Sequence, residues 1–291
     1  MKRILITGKN SYVGNSFAEW VSQYPDRYEV DKISLRTDDW KKKDFSKYDV
    51  VLHVAGIAHR KEKKRDKDLY FRVNRDLAYE VAKKAKKEGV SQFIFLSSMS
   101  VYGMETGVIT RDTVPQPKSL YGKSKLEAEK LIEHLNDQTF KVAILRPPMV
   151  YGKGCKGNYP KLAKLAKITP LFPDIDNKRS MIYVDNLSKF LKVIIDDNQS
   201  GLFFPQNNEY VKTSELVKLI AKYNNKKIRL TKLFNPIINS LKFNSTVKKI
   251  FGTLIYEKNI SINLYEYVDF VDLKESVKLT EDNNEKNCNT F

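Results

Sequence analysis

The chain alternates between two kinds of segment. Short, near-continuous apolar runs rich in β-branched residues recur at RILIT (3–7), KISL (32–35), DVVLHVA (49–55), QFIFLSS (92–98) and KVAILRP (141–147). Runs with so few polar interruptions suit strands buried on both faces. Between them, SFAEWVSQY (16–24), FRVNRDLAYEVAKKAKKEG (71–89) and SKLEAEKLIEHL (124–135) place apolar residues at the period of an amphipathic helix. Gly89 supplies a C-terminal stop for the second of these helices. Strand and helix in repetition imply parallel strands joined by helical crossovers, so the pattern predicts a doubly wound, Rossmann-like parallel α/β sheet. Ligands of such a sheet gather beyond the carboxyl ends of its strands.

After residue 150 the rhythm changes. GKGCKGNYP (152–160) is glycine-rich, NLSKFLKVII (186–195) reads as another helix, and short apolar runs with asparagine-rich connections follow. The expected organisation is a Rossmann domain over 1–150, with 182–200 returning to it. A smaller interleaved substrate lobe takes 151–181 and 201–279, and 280–291 forms a polar tail that frays. No internal repeat is present.

Composition narrows the function classes. The 291 residues are 41% hydrophobic, enough to bury a core. No apolar run reaches the roughly 18 residues that cross a bilayer, and the start MKRILITGKN lacks a secretory apolar core, so a cytoplasmic location is expected. Cys155 and Cys288 stand far apart without partners at metal-ligand spacing, and they read as free thiols with no metal site. The formal charge of +17 favours phosphate-bearing ligands in general. No zinc-finger spacing or aromatic-interleaved basic stripe points to nucleic acid. The basic stretch LFNPIINSLKFNSTVKKIFGTLIYEK (233–258) is expected to pack its apolar face within the lobe, with peripheral contact to an anionic membrane as the alternative.

Candidate chemistry begins at TGKNSYVG (7–14). Gly8, Ser11 and Gly14 form G-x-x-S-x-x-G between a strand and a helix, where helix N–H groups would receive a pyrophosphate. An ordinary strand-to-helix turn carries the same residues. Ser11 replaces the least crowded residue, and its hydroxyl could serve a phosphate instead. The second strand offers Ser34 and Arg36 where a carboxylate would serve NAD, which favours NADP(H) over NAD(H) because arginine pairs with a 2′-phosphate. In SLYGKSKLEAEK, Tyr121 and Lys125 lie four apart and share a helix face. A lysine ammonium there is expected to lower the tyrosine pKa.

Taken together, TGKNSYVG, the AG of HVAGIAH, RVN (72–74), SSMSVYG, YGKSK, RPPMVYG and RSMIYVDNL closely resemble the extended short-chain dehydrogenase/reductases, the NAD-dependent epimerase/dehydratase family. The resemblance spans roughly residues 1–200. It implies a catalytic triad of Ser98, Tyr121 and Lys125. Ser98 would orient the sugar oxygen, Tyr121 transfer a proton, and Lys125 hold the nicotinamide ribose. Cofactor contacts would fall at Gly8, Ser11, Tyr12, Val13, Gly14, Arg36, Ala55, Gly56, Asn74 and Pro147, as well as at Tyr121 and Lys125. Substrate contacts would come from Ser98, Met99, Ser100, Asn158, Lys161 and Arg179, with Arg179 gripping the nucleotide diphosphate. A homodimer near the YGKSK helix is also implied.

Dehydratases of this family carry an Asp-Glu pair after the serine or threonine. Here that pair is Met99-Ser100, which argues against dehydration. The longer similarity is closest to the subgroup that reduces UDP-4-keto-6-deoxy-N-acetylhexosamines, giving UDP-N-acetyl-D-fucosamine or UDP-N-acetyl-D-quinovosamine for capsular or surface polysaccharide. A UDP-N-acetylhexosamine 4-epimerase with tightly bound NAD is the alternative. A non-catalytic NADP-binding sensor or scaffold is the alternative from another class.

Overall fold

The computed structural model describes residues 1–58, 62–241, 243–261 and 268–282. Most of the polar tail, with Cys288, lies outside the described residues.

Six parallel strands form the central sheet. They are β1 (Lys2–Thr7), β2 (Tyr28–Ile33), β3 (Val50–His53), β4 (Gln92–Leu96), β6 (Lys141–Leu145) and β10 (Gly201–Phe203), in the order β10-β6-β4-β3-β1-β2. The order reverses at β1, which pairs with β2 on one side and β3 on the other. A crevice therefore opens beyond their carboxyl ends, the usual ligand position in such sheets. Alternate strand residues face opposite layers. Ile4, Ile6, Leu52, Ile94 and Leu145 pack against α1 (Tyr12–Val21) and α6 (Val184–Asp196). Leu5, Val51, Phe93, Phe95, Val142 and Ile144 pack against α3 (Leu77–Lys87) and α4 (Leu120–Glu133), where Ala78, Ala82, Ala85 and Ala128 let the helices come close.

Several expected boundaries move. The second strand ends at Ile33, earlier than KISL suggests, which leaves Ser34 and Arg36 exposed just beyond it. Helix α1 starts at Tyr12 because Ser11 is extended (φ −69°, ψ 133°) and caps it, so the helix begins four residues before the apolar period becomes regular. The helix read over 71–89 is three pieces: α2 (Lys67–Phe71), a π-helical turn at Arg72–Asp76, and α3. The sixth strand, β10, falls just past residue 200, in a stretch that the sequence assigns to the second lobe. A three-residue strand is too short for hydrophobic periodicity to reveal.

The remaining elements build the second lobe. Parallel pairs form between β5 (Gly107–Ile109) and β12 (Leu254–Tyr256), β7 (Met149–Tyr151) and β9 (Met181–Tyr183), and β8 (Leu171–Pro173) and β11 (Arg229–Thr231). Helices α5 (Tyr159–Ile168) and α7 (Thr213–Tyr223) enclose a core with Tyr151, Val217, Ile220 and, from a last helix Leu273–Glu281, Val277. Two short helices, α8 (Asn235–Ser240) and α9 (Ser245–Phe251), lie between β11 and β12.

Candidate functional site

The first wall of the crevice is the turn after β1. Gly8 has φ +104°, a conformation that side chains resist, and a Cβ there would lie 3.0 Å from the Ala55 main chain. The Gly8 and Lys9 N–H groups both donate to Ile33 O at 2.9 Å, which ties the turn to β2. A Cβ on Gly14 would approach Ile6 and Val54 to 2.8 and 2.9 Å, so its absence lets α1 press against β1 and the end of β3. Ser11 Oγ accepts a 3.4 Å hydrogen bond from Gly14 N. Its hydroxyl thus serves the helix start, which gives a structural reason for serine at this position. The Tyr12 ring packs against the second lobe's core, and burial pushes its phenol well above the ordinary range. Tyr12 and Val13 form the first turn of α1, where Val13 packs in part against the sheet core.

The second wall joins β3, the π-helical turn and α4. Asn74 is fully buried, accepts from Ile57 N at 2.7 Å, and donates to Ile57 O at 3.2 Å and Ser124 Oγ at 3.0 Å. A π-turn supplies one extra residue to the helix, a feature frequent at functional sites. A Cβ on Gly56 would lie 3.0 Å from Asn74 Oδ1 and 3.6 Å from Lys125 Nζ. Ala55, Gly56, Asn74 and Lys125 are therefore gathered at one point.

Ser98, Tyr121 and Lys125 meet at the carboxyl end of β4. Ser98 precedes a 3₁₀ turn, Met99–Tyr102, and its Oγ accepts from Ser100 N at 3.1 Å. Tyr121 is half-buried in the first turn of α4, which Ser119 caps through Gly122 N at 3.0 Å. Lys125 Nζ donates to Leu96 O at 2.7 Å and lies 4.4 Å from the Phe95 ring centre. Burial pulls Lys125 down to about 7, with Glu129 opposing that shift. Burial pushes Tyr121 up to about 12, partly offset by a hydrogen bond from Ser98. The expected lowering of Tyr121 is thus not found: desolvation of the phenol outweighs the help available from a lysine that is itself desolvated.

Six residues outside the sequence candidates support this cluster. Glu62 accepts from Leu120 N at 2.8 Å and Tyr121 N at 3.0 Å, a carboxylate placed at the positive end of α4. Glu62 lies in HRKEKKRDKD (59–68), whose composition matches that of a solvated segment. Glu129 and Arg146 form a buried ion pair at 2.6 Å, one turn beyond Lys125. Ser97 donates to Glu129, and Arg146 Nη1 donates to Tyr102 OH at 2.8 Å. The i, i+4 spacing of Lys125 and Glu129 was the available signal. His53 is fully buried beside Phe93 and Phe95, pairs through Nδ1 with Thr7 Oγ1 at 2.9 Å, and is held neutral by a pKa of about 3.

The other candidates separate into two groups. Pro147 is buried beside the cluster, and its carbonyl accepts from Met99 N at 2.9 Å, fixing the 3₁₀ turn to the end of β6. Arg179 is half-buried, and its Nη1 donates to Gly252 O at 3.1 Å and weakly to Glu105 O at 3.5 Å. Burial lowers its pKa, as expected for a guanidinium facing carbonyls rather than a carboxylate. Arg36 is exposed, with its N–H turned to Ser34 Oγ at 3.3 Å. Asn158 and Lys161 are exposed at the start of α5, and no hydrogen bond among the described residues joins their side chains to the triad.

Known proteins share both the sequence and the architecture. A UDP-glucose 4-epimerase from Vibrio cholerae is 32% identical over 248 residues, covering 76% of this chain and 75% of the relative. An N-acetyl-α-D-glucosaminyl-diphospho-ditrans,octacis-undecaprenol 4-epimerase from Escherichia coli O157:H7 is 27% identical over 197 residues, covering 65% of this chain and 59% of the relative. The fold matches the UDP-glucuronic acid 4-epimerase from Bacillus cereus in complex with NAD, with a TM-score of 0.75 and 19% identity, over 96% of this chain and 97% of that one. It also matches a dTDP-4-dehydrorhamnose reductase from Clostridium acetobutylicum, with a TM-score of 0.73 and 20% identity, over 96% and 98%. The model of the NAD dependent epimerase/dehydratase family matches residues 4–204, and the chain belongs to that family.

Proposed function

We propose that this chain is an NAD(P)H-dependent nucleotide-sugar 4-keto reductase acting on a UDP-4-keto-6-deoxy-N-acetylhexosamine. The observation that carries the reading is the meeting of Ser98, Tyr121 and Lys125 at the crevice, next to a Met99-Ser100 turn that offers no acid and base for dehydration. The crevice suits a dinucleotide: bare backbone at Gly8, the N-terminus of α1, and Gly56 beside Lys125. Arg36, with no carboxylate after β2 until Asp38 and Asp39, favours a 2′-phosphate, hence NADPH. When bound, the reduced nicotinamide supplies hydride to C4 of the sugar.

The side chains account for the rest of the reaction. Ser98 donates a hydrogen bond to the C4 oxygen, and Tyr121 gives its phenolic proton to that oxygen as the carbonyl becomes a hydroxyl. Lys125, charged, stabilises the phenolate left behind. Arg179 exchanges carbonyl partners for the sugar diphosphate, a stronger charge-assisted contact.

This role for Lys125 fixes a pH dependence. Lysine carries its charge below its pKa, so raising the pH through about 7 neutralises Lys125 and removes support for the phenolate. Reductive kcat is expected to fall above that point. A flat kcat profile between about pH 5.5 and 9 would remove Lys125 from the proton step.

A second reading is 4-epimerisation of a UDP-sugar with retained NAD, favoured by the Vibrio cholerae relative. One assay separates the two. The protein is incubated with NADPH or NADH and the 4-keto sugar, nicotinamide absorbance is followed, and the product is identified by NMR. Stoichiometric loss of reduced cofactor with a 4-hydroxy product supports the reductase. Interconversion of UDP-N-acetylglucosamine and UDP-N-acetylgalactosamine without net cofactor consumption replaces it with the epimerase.

A further inference from the structure

Residues 224–256 of the second lobe are basic and apolar together. From residue 224 to 256 the sequence holds seven Lys and Arg and no Asp or Glu. Lys226, Lys227, Arg229, Lys232 and Lys249 are exposed there. Among them Leu233 is 80%, Phe243 77% and Ile237 59% exposed, with Phe234 and Leu241 also uncovered. The expected packing of this stretch over the lobe occurs only in part: Ile250 and Phe251 reach the core, whereas α8 buries Ile238 alone.

We propose that this face docks on an anionic phospholipid surface. Large apolar side chains uncovered within a cationic surround match an acyl boundary below acidic headgroups. Two copies of the chain meeting through the same patch would set like charges against each other, which disfavours a symmetric protein contact. The face is tied to Arg179. Helix α9 is seven residues long, about 10 Å, and runs into Gly252, whose carbonyl accepts from Arg179. At its other side Lys249 lies 3.7 Å from Glu105, and Ser245 donates to the same carboxylate. Docking would set Arg179, proposed above to take the sugar diphosphate, close to the bilayer. The proposal stands whichever C4 reaction the site performs.

Cosedimentation with vesicles tests it. Phosphatidylcholine vesicles containing roughly one-third phosphatidylglycerol are expected to carry the full chain into the pellet at low salt, with affinity at least about tenfold above pure phosphatidylcholine. Leu233→Ser with Phe243→Ser is expected to lower that affinity by about tenfold or more, with Tm and turnover of a water-soluble UDP-sugar unchanged. Absence of vesicle binding, or binding indifferent to the double substitution, overturns the proposal. A change of oligomeric state in the double variant, read by sedimentation velocity, would assign the face to a second copy and overturn it as well.

Discussion

Replacement of Tyr121 by Phe is expected to lower kcat for C4 reduction by about 10²–10⁴-fold, the range a positioned general acid contributes, with KM for the sugar changed by less than about threefold. The ring stays half-buried in the first turn of α4, and the Tyr121 N–H that donates to Glu62 is main chain, so the substitution leaves the helix start intact. Only the phenolic proton and its hydrogen bond with Ser98 are removed. Single-turnover kinetics with NADPH and the keto sugar measure the effect directly. Retained turnover would transfer the proton step to another group and undo the proposed mechanism. A fall in sugar affinity with kcat preserved would make Tyr121 a binding residue instead.

Arg146→Met carries the largest expected effect on stability. Glu129 and Arg146 side chains are 3% and 9% exposed, and removing one partner leaves a buried charge uncompensated. Such losses cost about 3–5 kcal/mol, whereas replacing both partners with apolar residues costs much less. Tm is therefore expected to drop by roughly 10 °C in Arg146→Met, with most of the loss recovered when Glu129→Leu is added. Recovery should be incomplete, because Ser97 and Tyr102 lose the partners that the pair now gives them. Differential scanning calorimetry of the parent chain and the two variants makes the comparison. Equal destabilisation in the single and double variants would show that packing, rather than the stranded carboxylate, dominates. The double variant also removes the carboxylate that opposes the fall in Lys125 pKa, so its reductive optimum should move to lower pH.

Much of this site was legible before any coordinates because its parts are local. Tyr121 and Lys125 sit on one helix at a spacing that guarantees a common face, and Ser98 follows the apolar run of β4 by two residues. The Gly8 to Gly14 turn likewise lies between a clear strand and a clear helix. What stayed hidden depends on contacts across the chain. Glu62 reaches α4 over 58 residues, and Arg146 reaches Glu129 over 17. No sequence window joins those partners. The π-turn at Arg72–Asp76 keeps an amphipathic composition, so periodicity reads it as continuous helix although it sets Asn74 inward. Tyr121's raised pKa was misjudged for a related reason: spacing reports the neighbouring charge, but the depth of burial belongs to the assembled fold.

The threading of the chain through its sheet has a consequence for synthesis. Leu187, Phe190, Leu191 and Ile194 cover the same sheet layer as α1, and β10 closes the open side of β6. A nascent chain that has passed β6 therefore holds five strands with β6 still an open edge and one apolar layer half bare. About 60 further residues must be made before Phe203 can dock, which takes seconds at ~5–20 residues per second. Chaperone demand in the cell is therefore expected to track that delay more closely than the stability of the finished molecule.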